Sequence, residues 1–319
     1  MNSNIEVLCV GIIVADHVCT PINHLPRAGE LVLADSMLLT SGGCAANTAV
    51  DLSKMEVRAS VVGRVGNDLF GKVVREILLS ANVNTESILE TPGIETSQTM
   101  IINVKGEDRR FVHTFGANAH LTANDISHAL LDGIKVLYVG GYLLMPGLEQ
   151  SGLSKLFRTA QDKGIITVLD VGIPYPGEYI SKLNLLLPWV DVFLPNEDEA
   201  AIILSTTEPC RQAQEFHQMG AKTVVITCGK QGAVLVNKHV RLKSGIYQVE
   251  YVDGSGSGDA FDAGYITGMI EGLDERGCLS LASALGASCV RAVGTTSSVF
   301  TKNECQIFLR HNQLNITEW

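Results

Sequence analysis

Several large classes of protein are set aside by what this sequence does not contain. The eight cysteines, Cys9, Cys19, Cys44, Cys210, Cys228, Cys278, Cys289 and Cys305, include no C-x-x-C pair, and no two histidines stand in HxxxH or HExxH spacing. That argues against a zinc cluster, and a chain of this size has no need of a disulfide scaffold. No basic stretch precedes the first apolar run, IEVLCVGIIV, which ends before Asp16, and no later run reaches the roughly 18 apolar residues of a membrane span. Positive charge is also scarce. The 24 basic residues fall short of the 34 acidic ones by ten, so neither nucleic acid nor an anionic membrane is an expected partner. Any phosphate must be held by local geometry. The expectation is a reduced, cytoplasmic protein whose cysteines act as small buried hydrophobes.

What is plentiful is apolar residue and glycine. With 319 residues, 46% of them hydrophobic, the chain can bury a large core. Its 31 glycines exceed the roughly 22 of average usage, without a collagen period or low-complexity run to absorb them. Short β-branched runs, IEVLCVGIIV, ASVVGRV, KVLYVG, GIITVLD, VDVFLP and TVVITC, alternate with helical patterns near 44–56, 68–81, 149–163 and 196–204. This predicts a mostly parallel sheet with helices on both faces. Residues 17–40 and 97–115 break the rhythm with period-two patterning and turn residues, the second as a hairpin around Lys105, Gly106, Glu107 and Asp108. They read as a small antiparallel appendage, an excursion from a single domain over 1–319, since no linker or repeat divides the chain.

Open parallel sheets bind ligands beyond the carboxyl ends of their strands. The polar residues at those ends are Asp16, Gly140 and Gly141, Asp170, Asn196, Gly229, and Asp253 after IYQVEYV. Asp253 opens the most informative segment, DGSGSGD, which runs into the apolar stretch AFDAGYITGMIEGL. Free N–H groups and the positive end of a helix dipole meet there, Gly256, Ser257 and Gly258 allow close approach of an anion, and Asp259 can reach the same volume. A cradle beside a base suits phosphoryl transfer. The same turn would equally serve a structural role, with Asp259 capping its helix.

Two further segments have the same double reading. In Ser41-Gly42-Gly43-Cys44-Ala45-Ala46-Asn47 the side chain of Asn47 can read neutral hydroxyls beside Asp16, or bond locally in its own helix. Asn196 and Glu199, one helical turn apart, suit a hydrated Mg²⁺ ion, or form an acidic first turn with a capping Asn. Gly66-Asn-Asp-Leu-Phe-Gly-Lys72 fits GxxxxGK, but Val73 replaces the Ser or Thr that a P-loop needs, and the late G-x-G-x-x-F is no dinucleotide fingerprint.

Taken together, Asp16, GGxxxN at 42–47, GRVGNDLFG at 63–71, GAN at 116–118, NxxE at 196–199 and GxGD at 256–259 resemble, in order and over most of the chain, the ribokinase-like or PfkB carbohydrate kinases. That resemblance implies a three-layer α/β fold with a β lid, which in several members forms a homodimer, and ATP-dependent phosphorylation of a hydroxyl on a small sugar or related metabolite. It assigns Asp259 as catalytic base and Gly256, Ser257 and Gly258 as the anion hole. Asp16, Gly42, Gly43 and Asn47 would contact the sugar. Asn196, Thr227, Gly229, Gly232 and Gly258 would border the nucleotide, with Asn196 and Glu199 organising Mg²⁺ through water. Asp253, Ser255, Cys289, Gly294 and Ser298 would surround a monovalent cation such as K⁺. Ser257 departs from the usual Ala, and no acidic sugar contact is found near Gly140-Gly141-Tyr142, where many ribose kinases carry one. A nucleoside kinase of the same fold and a catalytically silent sugar-binding module are the alternatives.

Overall fold

The computed structural model describes residues 5–107, 109–174 and 177–319. In chain order, β1 (Val7–Gly11), β2 (Val14–Ile22) and β3 (Met37–Gly42) lead into α1 (Cys44–Lys54). Next come β4 (Ala59–Gly66), α2 (Leu69–Ser80), β5 (Ile88–Thr91), β6 (Gln98–Val104), β7 (Arg110–Thr114) and β8 (Val136–Gly140). The chain continues through α3 (Gln150–Asp162), β9 (Ile166–Leu169), α4 (Ile180–Asn184), β10 (Val192–Phe193), α5 (Glu197–Leu204) and α6 (Pro209–Gln218). It ends with β11 (Thr223–Thr227), β12 (Ala233–Asn237), β13 (Arg241–Ser244), α7 (Ser257–Ile270), α8 (Glu275–Cys289), α9 (Lys302–His311) and β14 (Ile316–Glu318).

Ten strands form one sheet in the order β14-β13-β12-β11-β10-β9-β8-β1-β4-β5. Pairings from β11 to β5 are parallel, and β12, β13 and β14 extend the edge antiparallel. Alternate residues of β1 serve opposite faces. Val7 and Cys9 enter a core with α1, α7 and α8, whereas Leu8 and Val10 enter one with α3, α5 and α6. A strand buried on both sides needs such a continuous apolar run, and every residue of β1 is buried. Helix α7 is buried around its whole circumference from Ala260 to Gly268, packed against α1 and α8, with Asp262 accepting from the Tyr138 hydroxyl of β8. Its Gly264 and Gly268 let α8 approach closely, since a Cβ at Gly264 would stand 2.6 Å from the Cα of Ala282. That contact sets the depth at which the amino end of α7 lies against α1.

The second sheet has the order β3-β2-β6-β7. Two antiparallel pairs, β2 with β3 and β6 with β7, are joined by a parallel pairing of β2 with β6. The turn between β6 and β7 contains Lys105, Gly106 and Glu107; the fourth residue assigned to it, Asp108, lies outside the described residues. Among the described residues no helix is long and apolar enough to cross a membrane.

Two expectations are corrected here. Asp16 does not end a core strand: β1 stops at Gly11, and the chain enters β2, in the small sheet, at Val14. The side chain of Asn118, from the GAN segment, clamps that crossing by accepting from the Ile13 amide and donating to the Ile13 carbonyl. The run IYQVEYV forms no strand, and β13 is already paired on both sides, by β12 and β14.

Candidate active site

Helix α7 begins at Ser257, with Gly256 as its N-cap in the left-handed region at φ 76. A Cβ there would lie 2.1 Å from the Thr295 carbonyl oxygen, so only glycine closes this turn. Asp259 sits three positions into the helix and does not cap it. Its Oδ2 instead accepts a 2.8 Å hydrogen bond from Asn47 Nδ2 on α1. Asn47 in turn accepts from the Thr295 hydroxyl at 3.1 Å, so its amide is fully oriented. The local readings of Asp259 and Asn47 are thereby replaced by a contact between residues 212 apart in sequence.

Of the three anion-hole residues, Ser257 turns its amide and hydroxyl back to the Gly254 carbonyl, closing the loop on itself. The amides of Gly258 and Asp259 have no partner among the described residues. A Cβ at Gly258 would meet nothing within 4 Å, so open space stands above these two donors. Unpaired amides at a helix amino end, with room in front of them, are suited to an anion.

Asp16 reaches the same region from β2. It is 5% exposed, and its carboxyl accepts from Thr99 on β6. Gly42 makes room for it: a Cβ there would fall 1.8 Å from Asp16 Oδ2. Gly43, at φ 93, lets the chain pass the Ile12 carbonyl before α1 starts. Burial pushes Asp16 up to about 7, with the Thr99 hydrogen bond opposing and the Asp259 charge adding. Burial also raises Asp259, against the Asn47 and Cys44 hydrogen bonds that hold it down.

Asn196 and Glu199 meet as a reciprocal capping box. Asn196 Oδ1 accepts from the Glu199 amide at 2.8 Å, and Glu199 Oε2 accepts from the Asn196 amide at 2.9 Å. One oxygen of Glu199 stays free of that exchange. Burial pushes Glu199 up to about 8, and the charge of Asp259 adds to the rise. Thr227 bridges to Asn196, which places the loop after β11 beside the box. In that loop Gly229 faces open space at φ 48. Gly232 is required structurally, since a Cβ would stand 1.9 Å from the Ser244 carbonyl oxygen.

Asp253, Ser255, Cys289, Gly294 and Ser298 also come together. Asp253 Oδ1 accepts from the Ser255 amide and hydroxyl, and its Oδ2 accepts from the Gly294 amide. The Cys289 thiol bonds the Ser255 and Thr295 carbonyls, and the Ser298 hydroxyl donates to the Cys289 carbonyl. Sequence reasoning did not anticipate Arg109, between β6 and β7, whose Nη1 lies 3.7 Å from Asp253 Oδ1. The bare Cα of Gly254 admits it.

Two more unassigned residues line the site. Cys44 Sγ and single carboxylate oxygens of Asp170 and Asp259 lie within 4.8 Å of one another. Asp170 Oδ2 also accepts from the Gly141 amide at 3.0 Å. Position at the end of β9 was the available signal for Asp170; Cys44 carried none, because its neighbours in sequence are small and apolar. Burial, with the charges of Glu199 and Asp259, holds Asp170 well above the usual carboxylate range. The GxxxxGK segment is structural. Asp68 caps the amino end of α2 through the Gly71 amide and also accepts from the Thr96 amide and hydroxyl, leaving no room for a phosphate. Arg64, on β4 just before this segment, forks onto Asp125.

Fold and site together define a class: a three-layer α/β protein in which two helix amino ends meet across a carboxylate, with free amides beside it. The model of the pfkB family carbohydrate kinases matches residues 4–302. A ribokinase of Haemophilus influenzae is 26% identical over 317 residues, covering 98% of this chain and 100% of that protein. An ATP-dependent 6-phosphofructokinase of Thermoanaerobacterium thermosaccharolyticum is 26% identical over 297 residues, covering 91% and 89%. The structure of Arabidopsis thaliana ribokinase complexed with ribose and ATP superposes with a TM-score of 0.81 at 23% identity, covering 96% and 98%. The chain belongs to the PfkB family of carbohydrate kinases. It is a ribokinase-family sugar or nucleoside kinase, a phosphotransferase with an alcohol group as acceptor.

Proposed function

We propose that the protein phosphorylates a hydroxyl of a small sugar or sugar-like metabolite with ATP, and that Asp259 is the base. The observation that carries this reading is the Asn47–Asp259 hydrogen bond, which holds a carboxylate at the edge of open space lined by free amides. Asp259 takes the proton of the acceptor hydroxyl as its oxygen attacks the γ-phosphorus, and the bond to the leaving ADP oxygen breaks. The amides of Gly258 and Asp259 face the charge on the transferring group, with Gly256 shaping the turn. Asp16, Gly42, Gly43 and Asn47 form the acceptor side, and Asn196, Thr227, Gly229 and Gly232 border the nucleotide. The free oxygen of Glu199 and the amide group of Asn196 fit a hydrated Mg²⁺, which neutralises phosphate charge when bound. The small sheet acts as a lid that excludes water.

The oxygen donors around Asp253, Ser255, Cys289, Gly294 and Ser298 fit a monovalent cation, which would stiffen the cradle loop. Replacing K⁺ by tetramethylammonium then lowers turnover. Met37, Leu39, Met100 and Val112 leave an apolar face of the small sheet exposed, which supports a homodimer through the lid, to be read by sedimentation. Eight free thiols fit a cytoplasmic location.

The test is ATP-dependent formation of a phosphorylated product, detected by mass, over a panel of sugars and nucleosides. Asp259→Asn should keep ATP binding and lose about 10²–10⁴ in kcat. Near-normal turnover by that variant removes Asp259 from the role. Acceptor binding without any turnover would favour a silent sugar-binding module.

A further inference from the structure

The names of the relatives leave the charge of the acceptor open, since a ribokinase and a 6-phosphofructokinase both match. Resting on the kinase reading above, we infer that the acceptor is an uncharged polyhydroxyl compound, that Asp170 is one of its contacts, and that acceptors bearing phosphate or carboxylate are excluded. The geometry carries this. Asp170 and Asp259 present carboxylate oxygens within 4.8 Å of each other and of the Cys44 thiol, and Asp16 approaches from the small sheet. Asp170 Oδ2 accepts from the Gly141 amide, and the carboxyl also accepts from the Cys44 thiol, which holds it in the cluster.

Among the described residues no ion pair joins a basic side chain to any of these groups. The charges that bear on Asp16 and Asp170 are those of other carboxyls. Nearby cations are committed elsewhere. Arg109 faces Asp253, Lys54 donates to the Thr296 and Val299 carbonyls, and Arg64 is forked onto Asp125. Burial already disfavours the charged forms of Asp16 and Asp170, as their upward displacement shows. An anionic acceptor would bury a further negative charge without a partner. Hydroxyl groups instead donate to the carboxyl oxygens and accept from Asn47, so each polar group finds a partner.

Matched pairs test the inference: fructose against fructose 6-phosphate, and glucitol against gluconate, each with MgATP and mass detection of the product. The expected result is that any compound phosphorylated is the uncharged member, favoured in kcat/KM by about a hundredfold or more, the scale of one unbalanced charge at this range. For the acceptor that is used, Asp170→Asn raises KM about tenfold and narrows the preference over the anionic partner. Asp170→Ala raises KM further, and KM for ATP serves as the control for a general structural effect. An anionic acceptor used as well as its uncharged partner overturns the inference and leaves the kinase reading standing. An unchanged acceptor KM in both variants overturns the role of Asp170. Absence of any phosphorylated product across sugars, polyols and nucleosides overturns the kinase reading and this inference with it.

Discussion

Asp16→Asn should make the protein more stable while impairing it, and the gain should depend on pH. Asp16 is nearly fully buried, and burial moves its carboxyl from 3.8 to about 7. A group whose proton affinity is higher folded than unfolded destabilises the fold as pH rises between the two values, because the unfolded chain releases the proton first. That difference, at about 1.4 kcal/mol per tenfold change in affinity, corresponds to about 4 kcal/mol lost between roughly pH 4 and pH 7. Asparagine has no charge to bury and keeps an oxygen for Thr99, so about 2–4 kcal/mol should return at pH 8. For a chain of this length the melting temperature should rise by at least about 4 °C. Thermal melts of both proteins from pH 5 to pH 8.5 read this directly: the gap is smallest at pH 5, widens as pH rises through about 7, and is constant above about pH 8. A constant gap, or a wild type that gains on the variant with rising pH, refutes the reasoning. The same variant should show a raised acceptor KM, since a stable but unreactive protein is what a strained binding group leaves behind.

Asn47→Ala removes the hydrogen bond that holds Asp259 down, so the acidic limb of the pH–rate profile should move to higher pH; an unmoved limb would separate the two residues functionally. Gly258→Ala adds a methyl into empty space at a helical position, so stability should rise by about 0.4–1 kcal/mol while kcat/KM falls about tenfold or more as the cradle narrows. Unchanged kinetics there would place the phosphates elsewhere. Gly42→Ala drives a Cβ into the Asp16 carboxylate and should raise acceptor KM with little change in KM for ATP, measured by initial rates.

Much of the layout was legible in sequence. The six β-branched runs became β1, β4, β8, β9, β10 and β11, and the four helical patterns became α1, α2, α3 and α5, because periodicity and glycine breaks act within a few residues. The misreadings were failures of context. IYQVEYV has strand composition but pairs with no strand of either sheet, and Asp16 looked strand-terminal because the break at Gly11 lies inside an unbroken apolar run. For Asn196 and Glu199 both readings offered by the spacing remain compatible: they cap each other's backbone, and one Glu199 oxygen stays outside that exchange.

What the sequence by itself determined is therefore local: where strands alternate with helices, which turns demand glycine, and which helix starts are rich in free amides. Only the tertiary structure decided which starts are used. Asp68 fills the amino end of α2, whereas the parallel sheet and the close packing of α8 on α7 bring Asp259 to Asn47 across 212 residues. The carboxyls of Asp16 and Asp170 likewise acquire their raised proton affinity only when burial and neighbours from other strands surround them, because charge interactions depend on distance in space and not on position along the chain.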